Sequence, residues 1–484
     1  DPRFIDRVDG KTTTMLAFRR SEDPDDWKRL MSEHLVRRTR TFIRNNYALI
    51  DENGRQYLEF TDGRRFSFPQ RVPIPINHSF GAGDPAAIMA SNTTLDTINR
   101  LVLPRYELGK YISASAILTE AETEFVDNLT RGRGHVAGFV RTTFYKRLSS
   151  CGHSFTLSLR RHIARNQLFC YAIDQGLAVP TGTIVDTSFA VDDGPTGPDG
   201  DQDPTTDDLA AAEQLGDTAD RRYEALRAAN PPSVTWIRPE IFTEQLRTDL
   251  ARDTGALTAL LDSYGGWAAA RDSKLAALIE LLTDRHPDDK VLIFTEYKDT
   301  ADYIGSALQS HGIDCVGVAT GESEDPTALA HRFSPRSNIL PGQERHHTVD
   351  NELRILVATD VLSEGQNLQD SHIIVNYDLP WAIIRLIQRA GRVDRVGQES
   401  DCVLVYSFFH ESVDSVLSLR QRIADRLHAN AEAFGSDEQF FGTATEVQAI
   451  TDLYNGTLAD DDSAEDVDAS SLAYQIWYAA QRDD

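Results

Sequence analysis

The sequence predicts an α/β protein built on a parallel sheet with helices on both faces, joined to a helical bridge region and a helical tail. Three observations carry this expectation. From residue 271 to 410, short β-branched apolar runs alternate with amphipathic segments, as strands buried on both faces require. Before that, residues 84 to 180 place apolar side chains at three- and four-residue spacing, the helical period. The chain's 484 residues, 40% apolar and 26% charged, allow about three domains of roughly 150 residues. No apolar run reaches the roughly 18 residues needed to span a bilayer, which excludes a membrane-spanning helix.

Taken in order, the elements read as follows. Near 45 to 75 the turn pairs ENG and TDG separate runs rich in Tyr, Phe, Val and Ile, predicting a β-hairpin or meander. AAIMASNTTLDTINRLVL and FTLSLRRHIARNQLFCYAI are helical. VDDGPTGPDGDQDPTTDD, residues 191–208, combines Gly, Pro and acids with almost nothing to bury, so an acidic disordered loop is expected. A helical stretch over 209–229 and an amphipathic segment near 239–262 precede a change of character at Ser273. From there SKLAALIELLTDR is a helix, KVLIFTEY a strand, TADYIGSALQSHG a helix, and CVGVAT, ELRILVATD and HIIVNYD are strands. AIIRLIQRAGRV is a helix and DCVLVYSFF a last strand. The tail, 411–484, is expected to be helical.

The formal charge is −26, with seven lysines among 49 basic residues. Acid excess with few lysines fits a very salty cytoplasm, where the Debye length falls to about 3 Å at about 1 M salt; an arginine-favouring GC-rich genome accounts for it equally well. Four dispersed cysteines without a C-x-x-C pair argue against a zinc site or a disulfide framework and make the cytoplasm the default. His346 and His347 lack further ligands at a metal spacing, so no metal site is expected. Asp1, with no leader after it, suggests a piece of a longer protein.

Positive charge is concentrated against the acidic background. Between Asp127 and Asp174 there is no acid, while Arg131, Arg133, Arg141, Lys146, Arg147, Arg160, Arg161 and Arg165 supply eight cations. Arg37, Arg38, Arg40 and Arg44 form a second group and Arg385, Arg389, Arg392 and Arg395 a third. Localised cationic surface on an anionic body suits a phosphate track, because phosphates supply most nucleic-acid affinity.

In open parallel sheets functional groups gather beyond the carboxyl ends of the strands. After RILVA, the turn TDVLSEGQNLQ crowds Thr359, Asp360, Ser363, Glu364, Gly365 and Asn367 together. After HIIVNYD, Gln388, Arg392 and Arg395 are spaced four and three apart, which predicts an amide and two guanidiniums on one helical face. A guanidinium offers a planar fork of donors and stays ionised, which suits a phosphoryl group in transfer.

KVLIFTEY, ATDVLSEGQNL and QRAGRVDRVGQ, in that order, resemble motifs IV, V and VI of superfamily 2 helicases, and SEGQNLQ, NYDLPW and QRAGRVDRVGQ are most similar to the Swi/Snf branch, within it to RNA-polymerase-recycling and phage-defence ATPases. EHLVRRTRTF resembles the Arg-rich segment after motif III, FYKRLSSCGHSFTLSLRR the bridge between two motor lobes, and SLAYQIW has a counterpart at the end of some such proteins. The resemblance implies a RecA-like second lobe over 271–410, the end of a first lobe within 1–80, a bridge over 81–270 and a tail over 411–484. It implies that Arg392 and Arg395 reach the ATP γ-phosphate, Arg395 as arginine finger, with Gln388 ordering that site. Glu364, Gly365 and Asn367 would lie near the nucleotide, although Asn367 stands where many relatives have Asp. Thr295 and Thr359 would touch the tracked strand, and Lys146, Arg147, Arg160 and Arg161 would brace DNA or the lobe interface.

A complete motor also needs a G-x-x-x-x-G-K-S/T loop and a magnesium-binding acidic motif. Neither is present: DGKTTT has Ile5 where the first glycine should stand. ATP and Mg are therefore expected to be held mainly by a first lobe upstream or on another chain, and this chain alone is expected to be inactive. Three functions stay open: part of an ATP-driven duplex-DNA translocase, a strand-separating DNA or RNA helicase, and a non-catalytic nucleic-acid-binding module. Expected partners are DNA and a protein such as RNA polymerase or a defence-system subunit.

Overall fold

The computed structural model describes residues 47–410 except 52–55, 60–62, 64, 68, 82, 133–135, 183–217, 233, 339–350, 364–365, 381–382 and 396. The expectations for the acidic loop, the tail, the Arg37 to Arg44 group, His346, His347, Glu364 and Gly365 lie outside the described residues.

Strands β1 (Leu49–Ile50), β2 (Gln56–Glu59) and β3 (Arg65–Phe66) form the expected antiparallel meander. Helices α1 to α5 follow β4 (Gln70–His78) and cover Pro85–Met89, Asn92–Arg100, Glu120–Gly132, Val136–Ser150 and Gly152–Asp174. A two-stranded antiparallel pair, β5 (Val179–Gly182) with β6 (Val234–Ile237), and helices α6 (Ala219–Ala229) and α7 (Glu244–Tyr264) complete the bridge. The α/β part then runs α8 (Ser273–Glu280), β7 (Val291–Phe294), α9 (Lys298–Ser310), β8 (Val316–Ala319), α10 (Pro326–Phe333), β9 (Ile355–Ala358), β10 (Ile373–Asn376), α11 (Ile383–Val393) and β11 (Cys402–His410).

The sheet has six parallel strands in the order β4-β11-β10-β7-β9-β8. Its inner strands β7, β9 and β10 are fully buried and almost wholly apolar because each face has its own core. Val291, Ile293, Ile355, Val357, Ile373 and Val375 point to α8 and α9, while Leu292, Phe294, Leu356, Ala358 and Ile374 point to α10 and α11, the period-two alternation of a strand. α9 lies so close to β8 that a Cβ on Gly305 would stand 2.3 Å from Val318 Cγ2.

The sheet departs from the sequence expectation at its edge. Residues 70–78, which the sequence expectation placed at the end of a first lobe within 1–80, pair with β11 along nine residues. The α/β domain is therefore not contiguous in sequence. Gln70 N donates to Asp401 O, so the N–H groups of positions 72, 74 and 76 face β11 and those of 71, 73, 75 and 77 face outward. Pro73 and Pro75 occupy outward positions, where a missing N–H costs the ladder nothing and discourages another strand from adding.

The bridge packs around Phe144, Leu148, Phe155, Leu159, Leu257 and Tyr264 from α4, α5 and α7. α5 begins at Gly152, where a Cβ would meet the Trp267 ring at 2.4 Å. Among the described residues no helix is long and apolar enough to cross a membrane.

Candidate functional site

The sequence-predicted residues fall at two ends of the sheet. At the carboxyl ends of β7, β9 and β10 lie Thr295, Glu296, Thr359, Asp360 and Asp378. Asp378 is a buried acceptor: Thr295 Oγ1 and Ser150 Oγ donate to its Oδ2 at 2.5 Å, and Glu296 N donates to Oδ1 at 2.8 Å. Thr295 and Thr359 are fully buried, so neither hydroxyl stands on a surface that a strand could follow. Glu296, adjacent to this carboxylate, is pushed up to about 8, first by burial and then by the Asp378 charge, which Lys146 and Arg389 oppose.

The bridge docks on this end. Ser150, the last residue of α4, also bonds Thr300 on α9 at 2.9 Å, and Lys274 Nζ donates to Ser149 O and Ser150 O at 3.2 and 2.6 Å. Beside them Arg147 and Arg161 converge on one carboxylate. Arg147 Nη1 reaches Asp299 Oδ2 at 2.5 Å, and Arg161 grips both oxygens at 2.6 and 3.0 Å. Burial opposes the Asp299 charge, but the two guanidiniums outweigh it and hold the carboxyl at about 2. Of the four bridge cations expected to brace DNA or an interface, two are thus joined to α9, Lys146 is half-buried and Arg160 is exposed. Arg141 donates to Leu101 O at 2.6 Å.

The guanidiniums lie elsewhere. α11 runs antiparallel to β10, so its last turn returns toward the amino ends of the strands. Arg389 is still at the carboxyl end, fully buried, donating to Asp360 at 2.7 and 3.2 Å and to Asp378 O at 3.2 Å. Burial works against its charge and the Asp360 carboxylate more than offsets that. Beyond it, Gln398 Nε2 ties Val393 O to Ser371 O, the latter just ahead of β10. Arg392 and Arg395 therefore stand at the amino end, opposite to where the carboxyl-end rule points.

The helix stops at Val393, so Arg395 is not on the helical face with Gln388 and Arg392. Its Nε donates to Gly391 O at 3.1 Å, which folds it back on the last turn, and its Nη1 donates to Asn367 Oδ1 at 2.5 Å. Leu368 N donates to Arg392 O at 3.3 Å. The two motif segments thus meet: Asn367 from the turn after β9 and Arg395 from the end of α11. Burial alone draws Arg395 below its ordinary value, and it remains a cation. The Asn367 carboxamide is itself held, its Nδ2 donating to Ser337 O at 3.4 Å, so it fixes Arg395, and the guanidiniums of Arg395 and Arg392 are the groups here whose chemistry suits phosphate oxygens. Among the described residues no cluster of His, Cys, Asp or Glu could hold a metal ion.

Residues 273–397 match the family described as the helicase conserved C-terminal domain. This region is a helicase C-terminal domain. The chain is 30% identical over 187 residues to the uncharacterized ATP-dependent helicase YqhH of Bacillus subtilis, spanning 38% of this chain and 29% of that protein. It is 31% identical over 159 residues to the ATP-dependent RNA helicase dbp-8 of Neurospora crassa, spanning 31% of this chain and 22% of the relative. The chain thus spans less than a third of either relative. A solved structure, the C-terminal part of the Fun30 ATPase domain, is similar with a TM-score of 0.35 and 13% identity, covering 80% of this chain and 97% of that one.

Sequence reasoning missed several residues of the helicase C-terminal domain. Asp299 and Asp378 carry no spacing signal; only the fold brings partners to them. Arg389, grouped with its basic neighbours, did carry one: Leu386, Arg389, Ala390 and Val393 fall at the spacing of one buried helical stripe, and the other three are core residues.

Proposed function

We propose that the intact protein is an ATP-driven translocase on duplex DNA of the Swi/Snf-like branch, and that this chain supplies its second motor lobe and bridge. The observation that carries the reading is the meeting of Arg395 and Asn367 at one end of the sheet, beside Arg392. In this reading Arg392 and Arg395 face the γ-phosphate of an ATP held with Mg by a first lobe, and Gln388 lies on the same helix. Positioned cations stabilise a transferring phosphoryl group by factors on the order of 10³ to 10⁵. Glu364 and Gly365 are assigned to the nucleotide by motif position. Lys146 and Arg160, with Arg147 and Arg161 behind them, supply positive potential to the nucleic acid at the other end of the sheet. α11 joins the two ends, because Arg389 anchors it at one and Arg395 follows it at the other. In high salt, short-range arginine forks survive screening better than distant charge.

Arg395→Ala in the intact protein is expected to keep ATP binding and to lose nucleic-acid-stimulated hydrolysis; normal turnover would refute the assignment. A strand-separating helicase on RNA is the second reading, favoured by the name of the Neurospora relative. Triplex displacement without strand displacement identifies a translocase, and strand displacement on RNA identifies the alternative.

A further inference from the structure

The sheet's edge strand comes from far outside the matched domain, and it touches the end of α11. Arg71, the second residue of β4, donates from Nε to Asp394 Oδ2 at 2.5 Å, with side-chain exposures of 9% and 0%. Asp394 follows the last residue of α11 directly, its N–H bonded to Ala390 O at 3.0 Å. In sequence it stands two residues after Arg392 and next to Arg395. A buried carboxylate cannot be left uncompensated and will take whatever cation comes within reach. Here Arg395 instead turns to Gly391 O and Asn367 Oδ1.

We infer that Arg71 is a positioning residue: by holding the Asp394 carboxylate against β4, it keeps Arg395 off that carboxylate and aimed at the phosphate site. The inference rests on the reading of Arg395 as a phosphate-facing group. It also makes residues 70–78 part of the working domain, although they lie some two hundred residues before the start of the matched region.

The test measures nucleic-acid-stimulated ATP hydrolysis by the intact protein and its Arg71→Gln, Asp394→Asn, double and Arg395→Ala variants, separating kcat from KM for ATP. Arg71→Gln is expected to lose about tenfold or more in kcat with KM changed less than about twofold. Asp394→Asn and the double variant are expected to stay within about threefold of the parent, because no carboxylate is left to capture Arg395. A merely structural pair behaves differently, since Asp394→Asn would then be as harmful as Arg71→Gln and the double variant would not recover. Either of those results, or full turnover in Arg71→Gln, overturns the inference. If Arg71→Gln yields no folded protein, the double variant decides alone: parent-like turnover supports the inference and its loss overturns it. Normal turnover in Arg395→Ala would show that the phosphate-facing reading itself had failed, whereas an inactive Arg395→Ala beside an active Arg71→Gln would remove the Arg71 inference only.

Discussion

Replacing Asp299 with asparagine tests how the bridge is fastened to the helicase C-terminal domain. The carboxylate receives Arg147 from α4 and Arg161 from α5, so the substitution removes the charge that lets two guanidiniums sit side by side. Burial raises the carboxyl, the two arginines lower it further, and it settles at about 2 rather than 3.8. At about 1.4 kcal/mol per unit, that depression is worth about 2 kcal/mol at neutral pH. Because the folded value is the depressed one, this stability is present above the unfolded value near 4 and disappears as the pH falls toward 2. The measurement is urea unfolding of parent and variant at pH 7, 5, 4 and 3, followed by tryptophan emission, since Trp267 packs on Gly152 at the same joint. The variant is expected to be less stable by about 2 to 3 kcal/mol at neutral pH, the upper end reflecting loss of the carboxylate charge beside the buried guanidinium of Arg147. The gap should narrow with acid. A gap below about 0.5 kcal/mol at pH 7, or one that stays constant down to pH 3, would refute the account.

Other substitutions separate fastening from contact. Arg160→Ala, at an exposed position, is expected to reduce the salt dependence of nucleic-acid binding by about one unit of slope without lowering stability, whereas Arg161→Ala should mainly destabilise; titrations at several salt concentrations read the first and thermal unfolding the second. Glu296 carries a raised value of about 8, so the parent should lose stability as the pH rises from about 4.5 through 8, and Glu296→Gln should flatten that loss; equal pH profiles would contradict it. Gly152→Ala forces a methyl into the Trp267 ring and is expected to cost about 1 to 3 kcal/mol in thermal or urea unfolding.

The helices and strands expected from 271 to 410 were legible because each strand is largely apolar and each helix keeps a helical period; the structure returns those elements and adds α10 between β8 and β9, which the sequence expectation did not contain. Motif order likewise located the helicase C-terminal domain without coordinates. Two things were not legible. Strand β4 belongs to the sheet through pairing with a partner over three hundred residues away, and local pattern carries no information about such a partner. The fate of each arginine depended in the same way on tertiary partners: Arg147 and Arg161 were spent on Asp299, Arg389 on Asp360, and Arg395 was folded back onto its own helix. A guanidinium's charge is written in the sequence, but whether it meets a carboxylate, a carbonyl or solvent is set by which elements the fold brings alongside it, and that decides whether it holds the protein together or is left to act on a ligand.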